Sequence, residues 1–295
     1  MSLDAKSLLL IALGAIAIFH LGTLAAAWRR RRLAAPASHG DRPTPVGIGI
    51  GFVTTFWDTL GVGSFAPTTA LFRFFKTVPD EQIPGTLNVG HTFGTFVQAV
   101  IFTQAVNVDP TTLISMIAAA TIGAWLGAGV VSSGPRRRIQ YGMGVCLLVA
   151  ASLTVAQVLG AFPGGGNALM LTGARLGFAV VCSFLLGAFM TLGIGLYGPC
   201  LILVSLLGMN PIAAFPIMTG SCAFLMPVAS ARFLTSGRFN WRAALGLIVG
   251  GLPAVFIAAF IVKSLPLTAV RWLVVVVVAY TAVTLLRSAR TEASV

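Results

Sequence analysis

The chain has 295 residues, 57% hydrophobic and only 9% charged, against about 25% charged in a soluble domain. So few charges cannot cover a surface that faces water on all sides, and at ~20 to 25 residues per span the length holds roughly seven to nine membrane segments and no separate soluble enzyme domain. The net charge of +12 does not point to nucleic acid, because the arginines cluster between apolar runs, at 29–32 with Arg42, at 136–138, at Arg232, Arg238 and Arg242, and at Arg287 and Arg290, as positive-inside orientation requires.

The first apolar run covers residues 5–27 and is followed by Trp28 and four arginines. Charge after the apolar core is the reverse of a cleaved signal peptide. Residues 1–28 are therefore predicted to be a retained extra helix with its N-terminus outside, followed by an Arg-rich cytoplasmic loop at 29–45. Next come a broken apolar stretch (46–75) and plainer spans at 83–105, 112–132 and 138–160. A Pro-Gly-Gly-Gly linker at 161–173 then leads to a second broken stretch (174–207), spans at 212–235, 242–262 and 267–287, and a cytoplasmic tail at 289–295.

The two blocks are copies. LGVGSFAP at 60–67 recurs as LGIGLYGP at 192–199, an offset of 132 that also matches Pro79 to Pro211 and Pro84 to Pro216. Membrane repeat 1 is thus 46–160 and repeat 2 is 174–288. If each broken stretch dips in and returns on one side, each copy makes three full crossings and the copies are inverted. That arrangement puts 15 of the 19 Lys and Arg residues on one side, which the positive-inside rule favours over four full crossings per copy. The expected fold is an all-α polytopic membrane protein with inverted repeats. The first part of the second broken stretch is long enough to span, which keeps parallel copies as the alternative.

Broken backbone at membrane depth is tolerated where it is buried in protein or lines a cavity, and matched breaks in two halves point to a binding site. Gly61 and Gly63, then Gly193 and Gly195, permit tight turns. Pro67 and Pro199 suit the first position of a new half-helix, whose free N–H groups and positive dipole end form a site for an anion. Ser64, Thr68, Thr69 and Tyr197 could add donors, with Asn88 on the next helix. The alternative is plain helix packing through small residues.

Asp58, three residues before Gly61, faces Met190 in the other copy, and His91 faces Ala223. Ionisable groups inside spans are functional candidates, and these two could take and release a proton, coupling anion movement to a proton gradient. The alternative is a capping role for Asp58 and a structural one for His91. His20 reads as structural or interfacial. Arg73 and Lys76, with Pro79, Asp80 and Glu81, read as a solvated turn or an entrance vestibule. Cys146, Cys182, Cys200 and Cys222 form no CxxC pair, so packing is expected of them rather than metal or disulfides. No cofactor is expected. An enzyme would need Ser64, His91 and Asp58 as nucleophile and base, and no GxSxG motif accompanies them.

The glycine motifs LGVGSFAP and LGIGLYGP resemble those of the sulfite exporter TauE/SafE family, and so do VPDEQIPGTLNVGHT, MNPIAAFPIMTGS and GAWLGAGVV. The resemblance covers roughly residues 46–288. Many members carry three glycines in a row where this chain has Gly61-Val62-Gly63-Ser64. The resemblance implies inner-membrane transport of sulfite, organosulfonates or related small anions, so the expectation is a secondary anion transporter and not an enzyme. A passive anion channel or a non-transporting assembly subunit are the alternatives. The expected partners are the anionic substrate and the lipid bilayer, with a homodimer left open.

Overall fold

The computed structural model describes residues 5–34, 42–162, 165–193 and 195–261, together with residues 279, 283, 286 and 287. It is helical, with ten α-helices and no strand among the described residues: α1 Ala5–Ala34, α2 Pro45–Thr59, α3 Phe65–Phe74, α4 Ile83–Ala105, α5 Pro110–Ser133, α6 Arg136–Val158, α7 Gly173–Met190, α8 Tyr197–Leu206, α9 Ala214–Ser236 and α10 Trp241–Ile261. Of the span expected at 267–287, only residues 279, 283, 286 and 287 are described.

Six of these helices are long and apolar enough to cross a membrane: α1, α5, α6, α7, α9 and α10. This is a multi-pass membrane protein. The first helix runs farther than expected, through Arg29 to Arg32 to Ala34. Arginine is a good helix former, and basic residues complement the negative end of the helix dipole. Arg32 stacks 4.6 Å over the Trp28 ring, and Trp28 meets Trp241 edge to face at 5.3 Å. Tryptophans at this level suit a membrane–water interface.

Both broken stretches are broken in the structure. Residues 60–64 separate α2 from α3, and residues 191–196 separate α7 from α8. At about 1.5 Å per residue α3 and α8 are each about 15 Å long, half of a ~30 Å hydrocarbon core.

Contacts sort the chain ends into two groups. Arg31, Thr44, Gly47, Phe72, Thr77, Gln82 and the 237–243 loop line one basin, so the start of α2 and the end of α3 share an end of the bundle. Arg238 donates to the Gly134 carbonyl at the same end, and Asn240 N–H bonds Thr86 Oγ1 at 2.9 Å. The other end holds Lys6, bonded to Asn107 at 2.6 Å, and Asp109, whose N–H bonds the Leu169 carbonyl. There Ala168 bridges Met209, so the chain entering α7 meets the chain leaving α8. Helix α4 thus starts at the arginine-rich end, while its counterpart α9 finishes there.

The two halves interlock by exchange: α2 packs along α10 and α7 along α5, with α4 against α9 at the centre. The close approaches need glycine. A Cβ on Gly51 would fall 2.7 Å from the Leu247 backbone, and one on Gly187 would run into the Ala120 backbone. Between helices that both face lipid, such backbone contact replaces the hydrophobic drive available in water. Helix α4 matches α6 and α9 in length but is not among the apolar six. Its Thr86, Asn88, His91, Thr92, Thr95 and Gln98 are all buried, and neighbouring helices cover it.

Candidate functional site

The four glycines of the two breaks adopt the left-handed backbone, with φ of +83° at Gly61, +90° at Gly63, +97° at Gly193 and +79° at Gly195. L side chains avoid that region, which is why the motif is glycine at these two matched positions. The prolines sit differently from expectation. Helix α3 begins at Phe65 and α8 at Tyr197, which makes Pro67 and Pro199 the third helical residue and not the first. The difference costs nothing, because the third N–H of a helix also lacks an intrahelical partner. The first helical bonds are Thr68 N–H to Ser64 O and Cys200 N–H to Leu196 O. The N–H groups of Phe65, Ala66, Tyr197 and Gly198 belong to the first turn, where a helix offers no acceptor of its own.

Gln98 of α4, which sequence reasoning passed over, joins the two breaks. Tyr197 donates its hydroxyl to Gln98 Oε1 at 2.5 Å. Gln98 Nε2 donates to Asp58 Oδ2 at 3.1 Å and to Thr59 Oγ1 at 2.9 Å. The carboxylate can only accept and the tyrosine gives its proton, so the amide has one orientation that satisfies both ends. Ser64 lies beside the Asp58 carboxylate on the same small cavity, with its N–H and hydroxyl near it. Residues of the first break, the central helix and the second break thereby form one buried network, with Asp58 5% exposed and Tyr197 3%. A lone glutamine in an apolar run was the signal in the sequence, because a buried amide demands partners.

His91 belongs to a neighbouring arrangement. Its Nε2 lies 3.0 Å from Thr68 Oγ1 and its Nδ1 3.2 Å from Thr55 Oγ1. Thr68 gives its own proton to the Ser64 carbonyl at 2.7 Å, so it accepts from Nε2–H, and Nδ1 accepts from Thr55. Both ring nitrogens of a neutral imidazole are satisfied in this way. The partners of His91 are these two threonines and not Asp58 or Ser64. Asn88 bonds the Pro84 carbonyl at 2.8 Å through Nδ2 and stands apart from the network, its Oδ1 buried without a partner. Thr69 Oγ1 is also buried and unpartnered, and it lies 3.7 Å from where a Cβ on Gly193 would be.

The second copy lines the same place with sulfur. Cys222 Sγ lies 3.7 Å from Met190 Sδ, and Thr95 Oγ1 lies 3.6 Å from Met226 Sδ. The cavity bounded by Asp58, Ser64, Thr95, Met190, Tyr197, Cys222 and Met226 has about 10 Å³, room for at most one water. A second space of about 40 Å³ adjoins Gly63, Pro67, Gly198 and Pro199 on the α6 side. The site is therefore closed to an oxyanion in this conformation.

The cysteines are free, with Cys182 half-buried and the other three buried. His20 is buried against Phe93 at 5.3 Å and Phe96 at 6.3 Å between ring centres. Arg73 does not line the arginine-end basin. It pairs with Asp80 at 2.7 Å, and Gln140 of α6 bonds the same carboxylate at 2.9 Å, which ties the α3–α4 turn to α6. The basin itself, of about 570 Å³, is lined by Arg31, Gln82, Asn240, Trp241 and Arg242 among others.

The paired breaks around a buried polar network are the architecture of a transporter, and a family model agrees. The model described as Sulfite exporter TauE/SafE matches residues 1–154, over half of the chain. The chain belongs to the sulfite exporter TauE/SafE family. The match begins at residue 1, so α1 lies within the TauE/SafE region, and it ends inside α6. No curated protein and no solved structure matches the chain significantly. Family membership makes the protein a membrane transporter of the sulfite exporter type.

Proposed function

We propose that this TauE/SafE protein is a secondary transporter of small anions such as sulfite or organosulfonates across the inner membrane, driven by a proton gradient. The observation that carries the reading is the network Tyr197–Gln98–Asp58–Ser64, in which both breaks meet around the only buried carboxylate among the described residues. The free N–H groups and positive dipole ends of α3 and α8 supply the attraction for an anion. Asp58 is the group that takes and releases the proton. His91 holds Thr55 and Thr68 in place and orients the start of α3.

The copies are read as inverted, with the arginine-rich end in the cytoplasm. The opposite senses of α4 and α9, and the return of each broken stretch to its own starting end, support this. Alternating access then means rocking the α2–α10 and α5–α7 pairs about the α4–α9 contact, which opens the closed cavity toward one face at a time.

The test is flux. Proteoliposomes holding the purified protein are expected to accumulate sulfite or a sulfonate when a pH gradient is imposed. Flux that follows only the anion gradient, unchanged in Asp58→Asn, would turn the reading to a passive channel. No flux of any oxyanion would remove it.

A further inference from the structure

We infer that the Asp58 carboxylate is a tethered stand-in for the substrate: it occupies the oxyanion subsite, and the transported anionic group takes its place against Ser64 N–H, Ser64 Oγ and Gln98 Nε2. The inference rests on the anion-transport reading above and names the atoms of that site.

Asp58 lies in the last turn of α2, the end of a helix that disfavours negative charge. A carboxylate persists there only if something stronger holds it. That something is the start of α3, where Ser64 is the N-cap residue but its side chain caps no N–H of its own helix. It turns instead to Asp58 together with its own N–H. Gln98 adds an amide donor from a third element. No Lys or Arg among the described residues pairs with Asp58. The negative charge is held by neutral donors and a dipole end alone, as anions are held at helix N-termini. Donors of this kind bind any oxygen-bearing anion of the same charge.

The second half of the argument is volume. The cavity touching Asp58 has about 10 Å³, so no oxyanion enters while the carboxylate is in place. Entry requires Asp58 to leave, and the cheapest way out of these donors is as a neutral acid. A proton adds to the carboxylate, the acid turns away, and one singly charged anion fills the donors. The site carries one negative charge before and after, so each turnover moves one proton with one monovalent anion and no net charge. The substrate is accordingly a monoanion, such as a sulfonate or hydrogen sulfite, in preference to dianionic sulfate. Matched Met190 offers no such stand-in at the second break. The titratable groups facing Asp58 are Tyr197 of α8 and Cys222 of α9. His91 of α4 reaches it indirectly, through Thr68 and Ser64 and through Thr55, Thr59 and Gln98.

The experiment is calorimetric binding of ethanesulfonate, whose charge is constant from about pH 5 to 8, to purified wild type, Asp58→Asn and Asp58→Ala. Wild-type affinity is expected to fall as pH rises, by up to about tenfold per pH unit. Both variants are expected to bind at the higher pH as tightly as wild type does at the lower, with no pH dependence. Thermal unfolding confirms that each variant is folded, and the alanine variant serves if asparagine disrupts the turn. Wild-type binding that is independent of pH, or a folded variant that keeps the wild-type profile or loses binding altogether, overturns the stand-in while the anion site survives. Failure of wild type and variants alike to bind sulfite or ethanesulfonate at any pH removes the transport reading and the stand-in with it.

Discussion

At the residue scale, the roles of Asp58 and His91 separate. Both were singled out as ionisable groups within apolar spans, but their partners differ in kind. Asp58 accepts from Gln98 of α4 and lies beside Ser64 at the start of α3. His91 is clamped between two threonines that use up both ring nitrogens. Truncating it leaves the buried hydroxyls of Thr55 and Thr68 without that partner, and each such loss costs about 1–3 kcal/mol. His91→Ala is therefore expected to lower the thermal unfolding temperature in detergent, while the pH dependence of transport per folded molecule stays that of wild type. An altered pH profile in a folded His91→Gln variant would return His91 to the coupling machinery. Gln98 was legible only as an odd polar residue. Its importance comes from where three helices place its two amide ends, which no spacing rule reports.

At the scale of elements, the break was the most legible feature. Glycine at two matched positions and a proline four residues after the second predict a turn followed by a half-helix, and the φ values of Gly61, Gly63, Gly193 and Gly195 bear this out. The exact seat of the prolines was not legible, since any of the first helical positions tolerates a missing N–H. The path of the second broken stretch was also ambiguous, because the 18 residues of α7 nearly suffice to cross. The bridge from Ala168 to Met209 places its two flanks side by side. In a background without native cysteines, Ala168→Cys with Met209→Cys is expected to cross-link efficiently with a short bifunctional thiol reagent. A pair that fails to cross-link, although each thiol reacts singly, would argue for a full crossing of α7–α8.

At the scale of the whole molecule, the duplication becomes an exchange. Each broken stretch packs on a helix of the opposite copy, so neither repeat buries its own small-residue face without the other. This also explains why α4 tolerates Asn88, His91 and Gln98: these side chains are buried among helices from both halves of the chain. The orientation of the copies has a direct reading in cells. Reporter fusions in loop 76–82 are expected to report the cytoplasm and fusions at 206–211 the outer side. Finding both outside would establish parallel copies instead.

Composition and apolar runs were enough to indicate a membrane protein, and glycine and proline were enough to place a break at each of the two motifs. Those properties are written in local hydropathy and in glycine and proline, whose backbone preferences act within a few residues. The meeting of Tyr197, Gln98 and Asp58 and the sulfur-lined second wall were decided only by tertiary structure. They depend on side chains 32 to 139 residues apart, brought together by small-residue contacts between helices far apart in the chain, and periodicity along a chain carries no information about such distances.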